Sequence, residues 1–220
     1  TKLGGVETFQ DAEKCAKLFK SHNNEIEGII VILPNFGDEK GVADTIRLSG
    51  LNVPVLVQAY PDDLNKLEVR NRRDAYCGKI SVCNNLYQYG IKYTLTNNHV
   101  IHPNSEDFQK ELIDFVSVCR VVKGMSRVRI GAIGARPNAF NTVRYSEKIL
   151  ERNGISVTTI DLSEILGRTK KLTAKDKEVS HAMDKIKSYA DTNLTPDDKL
   201  LQLATMDVVL NHFVEEHQLD

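Results

Sequence analysis

Two short apolar runs constrain the fold of this chain more than any other feature. Residues 26–35, IEGIIVILPN, form a near-continuous β-branched run closed by Pro34 and Asn35, and residues 53–61, VPVLVQAYP, form a second. Runs without apolar–polar alternation are the pattern of strands buried on both faces of a parallel sheet. The intervening GDEKGVADTIRLSG has the length of a short helix ended by Gly50. Together the three pieces predict a βαβ unit with short connections.

Ahead of this unit, VETFQDAEKCAKLFKSH spaces Phe9, Ala12, Ala16 and Phe19 as an amphipathic helix does. After it, the pattern predicts a helix over Gly78–Tyr89 and a shorter strand in IKYTLTNNH. A clear helix follows in SEDFQKELIDFVSVCRVVKGM, with Ser105 as N-cap, Phe108, Leu112, Phe115, Cys119 and Val122 as its stripe, and Gly124 as its stop. A second unit then begins: strand Val128–Ile133, helix Thr142–Arg152, Gly154 at C′ and strand Ser156–Ile160. In TPDDKLLQLATMDVVLNHFVEEH, Thr195 can cap and Pro196 suits the first helical position. Asp197 and Asp198 oppose the positive helix end, and Leu203, Met206, Leu210 and Phe213 are the expected buried face. The alternation is that of an α/β protein with mainly parallel sheets. It opens on a helix with no preceding strand and ends where another strand is due, so a segment of a longer protein is expected.

Charge and cysteine usage narrow the partners. Lys and Arg total 29 against 30 Asp and Glu, a net charge of −1, so no field of one sign favours nucleic acid. The basic run Arg168–Glu178 is diluted by acids and reads as a solvated linker or helix face. Cys15, Cys77, Cys83 and Cys119 form no CxxC pair, and neither a signal-peptide pattern nor a bilayer-length apolar run is present. Reduced thiols in a cytoplasmic protein, with no membrane partner, are the expectation.

Candidate sites lie where strands end. The stretch IGAIGARPNAF resembles the start of a dinucleotide-binding unit, but its glycines, Gly131 and Gly134, are spaced G-x-x-G with no third Gly. Pro137 also removes an N–H where a phosphate would need donors. Asp161 ends the next strand as a ribose-binding acid would, or as an ordinary helix cap. In PNFGDE, residues Asn35, Asp38 and Glu39 follow a buried strand and point toward the crevice where open parallel sheets bind ligands. The other reading is a turn plus acids at a helix N-terminus. RRDAYCGKISVCNNL packs Arg73, Asp74, Lys79, Ser81, Asn84 and Asn85 into a short space. That composition suits a hydroxyl-rich ligand, or equally a capped helix with a polar face. His99 and His102 read as loop histidines, because the HExxH helix pattern of zinc hydrolases is missing.

Taken in order, GIIVILPNFGDE, VPVLVQAYPDD, RRDAYCGKISVCNNLYQYGI, FVSVCRVVKG and RIGAIGARPNAFNTVRYSEKILERNGISVTTIDLSEI resemble the L-fucose/L-arabinose isomerase family, in its fucose-isomerase-like branch. The resemblance covers nearly the whole chain. It implies two Rossmann-like three-layer domains: residues 1–125, lacking the first strand, and residues 126–220, incomplete at the C-terminus. It implies an aldose–ketose isomerase that works through an ene-diol and uses Mn²⁺, with metal ligands downstream of this chain and no cofactor in this segment. It further implies a homo-oligomer with the active site at a subunit interface and a monosaccharide substrate. On that analogy Asn35, Phe36, Asp38, Glu39, Lys79, Ser81, Asn84 and Arg136 are the expected substrate-binding or pocket-shaping residues. A non-catalytic sugar-binding or sensor module is the alternative; low aromatic content, 6%, stands against it.

Overall fold

The computed structural model describes residues 4–220. The chain divides into two compact units, Thr1–Lys123 and Gly124–Asp220, both α/β with short parallel sheets.

The first unit holds α1 (Phe9–Ser21), β1 (Ile29–Leu33), α2 (Glu39–Ser49), β2 (Val55–Ala59), α3 (Ala75–Gln88) and β3 (Thr94–Leu95), and is closed by α4 (Glu106–Met125). Local chemistry sets the helix ends. The Thr8 hydroxyl accepts the Asp11 N–H, the Asp38 carboxylate accepts the Gly41 N–H, and the Ser105 hydroxyl accepts the Phe108 N–H. Gly50 ends α2 in the left-handed region at φ 68°.

The strands pair in parallel in the order β1-β2-β3, with Ile29 opposite Val55 through Leu33 opposite Ala59. On one face Ile29, Val31, Leu33, Val55, Val57 and Ala59 pack against α2 and α3. On the other, Leu56 packs against Ile101, Phe108, Phe115 and Cys119. Gln58 is fully buried there, donating to the Ile101 carbonyl while its Oε1 has no hydrogen-bond partner.

β2 is buried at all five positions, as its composition predicts. β1 is not: Ile30 and Ile32 are 39% and 49% exposed. An apolar run does not reveal whether its strand is central or at an edge. β1 lies at the edge, and α4 covers the second face of β2 but leaves β1 open. α3 starts three residues before its predicted start. The Asp62 carboxylate takes the N–H groups of Arg73 and Asp74, and Asp74 enters the helix at φ 54° with no side-chain cap of its own.

The second unit holds β4 (Arg129–Ile133), α5 (Glu147–Arg152), β5 (Ser156–Ile160), α6 (Leu162–Thr169), α7 (Lys177–Tyr189) and α8 (Asp197–His217), with β4 and β5 parallel. α5 is shorter than predicted, because residues 137–144 are spent on turns closed by Phe140 N–H to Pro137 O and Arg144 N–H to Asn141 O. α7 begins within the end of the basic run and packs Val179 and Ala182 against Ala204 and Val208 of α8. The buried face of α8 also differs from the predicted one. Leu200, Ala204, Val208, Val209 and Phe213 are buried, whereas Leu203 is 56% exposed. One flank of α8 serves α7 and the other packs on Ile160 and Ile165, so its buried arc is shifted and broad. Thr195 makes no cap bond; Pro196 takes the N-cap position instead. The last residues run beside β4: Asp220 donates its N–H to the Arg129 carbonyl, and its carboxylate accepts the Arg129 N–H.

Among the described residues no helix is long and apolar enough to cross a membrane.

Candidate functional site

In the first unit the loops after β1, β2 and β3 gather at the carboxyl edge of the sheet, where parallel α/β proteins bind ligands. Three ties hold them. Phe36 donates its N–H to the Arg73 carbonyl at 2.7 Å, Arg73 Nη1 donates to the Pro34 carbonyl at 3.2 Å, and Asp62 Oδ1 accepts from Arg73 and Asp74 N–H at 2.9 and 3.0 Å. The loop after β1 is thereby tied to the 60–74 connection and the start of α3. Gly78 allows the helix to come this close: a β-carbon there would lie 3.3 Å from Phe36 Cα and 3.4 Å from the Asn35 carbonyl oxygen.

Rings line this edge. The Arg73 guanidinium lies over the Tyr60 ring at 5.2 Å, Tyr60 meets His102 edge-on at 5.3 Å, and Tyr76 faces His99 at 5.1 Å. Such amphipathic rings can pack on the apolar faces of a sugar while hydroxyl and imidazole groups meet its oxygens. A cavity of about 670 Å³ runs along β1 and reaches Asn35, Phe36, Gly37, Asp38, Tyr60 and Gly78.

The expected site residues separate into groups. Asn35, Phe36 and Asp38 line this cavity, with Phe36 half exposed. Asp38 spends one carboxylate oxygen on the α2 N-cap, and Glu39 is the first residue of that helix. Lys79 is 3% exposed and faces inward. Its ammonium donates to Thr96 Oγ1 at 2.7 Å and to the His99 carbonyl at 3.0 Å, while Glu111 accepts the Asn97 N–H at 3.0 Å. Burial pushes the Lys79 pKa down, against smaller upward effects of Cys83 and Glu111. Lys79 therefore fixes the loop that carries His99. Ser81 and Asn84 lie further along α3. The Ser81 carbonyl accepts from Asn85, and Asn84 Oδ1 accepts from Gln88. At ~1.5 Å per residue Asn84 stands ~9 Å along the helix from Gly78. Arg136 belongs to the second unit, where its Nη1 reaches the Phe140 carbonyl at 3.5 Å.

Sequence reasoning singled out Arg73, His99 and His102 but did not bring them together, and it missed Tyr60, Asp62 and Tyr76. The available signal was position: each lies just past a strand end or at the start of α3.

In the second unit, Gly131 lies within β4 under the Leu219 side chain, which would stand 2.6 Å from a β-carbon at that position. Its smallness serves packing. Asp161 caps α6 through the Ser163 N–H at 2.7 Å, and hydrogen bonding from the Ser163 hydroxyl, then from its N–H, lowers the Asp161 pKa. Both residues thus have structural roles in the strand–Gly–helix–strand unit.

Among the described residues no three His, Cys, Asp or Glu side chains converge to hold a metal ion.

No curated protein matches the chain. The N-terminal domain of fucose/sulfoquinovose isomerases matches residues 1–126, which span the first unit with its strands, its carboxyl-edge loops and the whole of α4. Through this N-terminal domain the chain belongs to the fucose/sulfoquinovose isomerase family.

Proposed function

We propose that this chain is the N-terminal part of an aldose–ketose isomerase and supplies the wall of its monosaccharide pocket. The observation that carries the reading is the tied carboxyl edge of the first unit, inside the domain that matches the isomerase family. Aldose–ketose exchange moves a proton between carbons one and two through an ene-diol. The residues of this edge act on the substrate by shape and hydrogen bonding. Asn35 and His99 meet hydroxyls, Tyr60, Tyr76 and Phe36 pack on apolar faces, and Asp62 and Arg73 hold the loop in place. Asp38, Glu39 and Lys79 shape the pocket from behind. Ser81, Asn84 and Arg136 stay as proposed contacts only if a neighbouring subunit or segment presents them to the sugar. Mn²⁺ would be held by residues beyond this chain.

A homo-oligomer is part of the same reading. The exposed apolar residues Val118, Val121, Val122 and Met125 recur at i, i+3, i+4 and i+7 along α4, a stripe suited to a subunit contact.

The test is aldose-to-ketose conversion by the whole encoded protein on L-fucose, L-arabinose and sulfoquinovose, with Mn²⁺ and after chelation, beside the 220-residue chain. Turnover by the whole protein, with a KM raised about tenfold or more by Asn35→Ala or Tyr76→Ala and little change in kcat, is the expected result. No turnover on any sugar, together with saturable sugar binding by the 220-residue chain, would replace it with the recognition-module reading.

A further inference from the structure

The loop after β3 brings His99 to the carboxyl edge with little help from the sheet. β3 pairs with β2 over Thr94 and Leu95 alone, and Asn97, Asn98 and His99 are exposed and outside regular secondary structure. Each residue from Thr96 to His99 is nonetheless held, and each at a different group. The Lys79 ammonium donates to Thr96 Oγ1 at 2.7 Å and to the His99 carbonyl at 3.0 Å. The Thr96 hydroxyl donates in turn to the Asn98 carbonyl at 2.7 Å. Glu111 of α4 accepts the Asn97 N–H at 3.0 Å. All of these holds except the last run through one ammonium.

Tyr76 precedes Lys79 by one turn of α3, which places the two on one face of the helix. Its ring stands 5.1 Å from that of His99, tilted by 32°. One helix face therefore grips His99 twice, by its carbonyl and by its ring. The imidazole nitrogens stay unused, since neither has a hydrogen-bond partner among the described residues. His102 differs: its Nδ1 accepts the Asn104 N–H at 3.2 Å. That bond puts the proton of neutral His102 on Nε2 and leaves it a donor alone. His99 is free to donate at one nitrogen and accept at the other, which matches a hydroxyl that does both.

Packing alone does not call for a charge at residue 79. Lys79 and Thr96 are both buried, and taking an ammonium out of water is costly. A methionine of similar length fills the same space without that cost. What it lacks is the donors that reach Thr96 and the His99 carbonyl. We propose that Lys79 is a positioning residue that acts through His99: its ammonium and the Tyr76 ring fix the imidazole at the carboxyl edge, where it hydrogen-bonds a hydroxyl of the bound sugar. The ligand in this inference rests on the pocket-wall reading; the clamp on His99 does not. Two rival roles give different results. A Lys79 that touched the sugar itself would act whether or not His99 were present, and one that only filled the core would act on stability and not on sugar affinity.

The test is a double-mutant cycle in the whole encoded protein, with KM and kcat measured on whichever of L-fucose, L-arabinose and sulfoquinovose it turns over best. Lys79→Met is expected to raise KM about fivefold or more while kcat changes by less than about twofold. In a His99→Ala background the same substitution should change KM by less than about twofold, because the group it positions is gone. Thr96→Val cuts the same chain of bonds with a smaller lesion and should behave alike, so it carries the cycle if Lys79→Met does not fold. A KM effect as large in the His99→Ala background as in wild type would overturn the proposal, and so would the absence of any KM effect. A second readout needs no sugar. In protein with isotope-labelled histidine, the His99 imidazole signal should carry a ring-current shift that Tyr76→Leu abolishes, and Lys79→Met should remove most of it. An unchanged His99 signal in Lys79→Met would overturn the clamp. If wild type turned over no sugar, the isomerase reading would fall, and the imidazole signal would still decide for or against the clamp.

Discussion

Asp62 holds the loop that leads into α3. Its Oδ1 accepts two consecutive backbone N–H groups, and Arg73, so held, ties Pro34 and Phe36. Asp62→Ala leaves both N–H groups to water at a half-buried site, so a loss of about 1–2 kcal/mol is expected in urea unfolding. Asp62→Asn keeps one acceptor oxygen and should recover most of it. Lys79 makes a second testable case. Its folded pKa lies below the ordinary value of 10.5 because burial disfavours the charged form. In the window between the lowered pKa and 10.5 the unfolded chain binds the proton that the native one has released, so stability rises with pH there. The raised pKa values of Cys83 and Tyr93, also pushed up mainly by burial, act in the opposite direction. The comparison that isolates Lys79 is wild type against Lys79→Met. The stability difference between them should move in favour of wild type as pH climbs through that window. A difference independent of pH would show that the ammonium is not desolvated.

Among the elements, Gly154 offers the sharpest prediction. It follows α5 at φ +82°, and a β-carbon there would fall 2.0 Å from the Ser126 carbonyl oxygen. Gly154→Ala combines a left-handed backbone penalty of about 1 kcal/mol with a clash against backbone that cannot swing away. A loss of about 2–4 kcal/mol in the stability of the second unit, read by thermal or urea unfolding, is expected. Features of this kind are legible in the sequence itself: the Gly at C′, the Ser105 cap, and the two apolar runs that form β1 and β2 all act locally. What the sequence hides depends on partners distant along the chain. Nothing in IIVIL says that Ile30 and Ile32 lack a covering helix. Nothing in α8 says which of its many apolar residues face α7 and which face α6. The site divides in the same way. Asn35, Phe36 and Asp38 can be read from the end of a strand. The rings of Tyr60, His102, Tyr76 and His99 meet only when three loops fold to one edge. Lys79 looks like a ligand group by type, and its burial against Thr96 and the loop after β3 is not legible locally.

At the scale of the whole molecule, the family match ends at residue 126, within a few residues of the boundary between the compact units at 123–124. The sequence relationship thus stops about where one cooperative core stops. The core of the first unit is built on β1, β2 and their helices, and that of the second on β5, α6, α7 and α8. Among the described residues each buried cluster draws on one unit alone. Separate cores unfold separately unless something else couples them. Calorimetry of the 220-residue chain is therefore expected to resolve two transitions, and point variants assign them. Gly154→Ala should lower only the transition of the second unit. Gly78→Ala presses a methyl group against Phe36 Cα and the Asn35 carbonyl oxygen, so it should lower only that of the first. If either variant moved both transitions together, or if only one transition existed, the units would share a single cooperative fold. The carboxyl-edge loops of the first unit would then depend for their stability on residues beyond the matched domain.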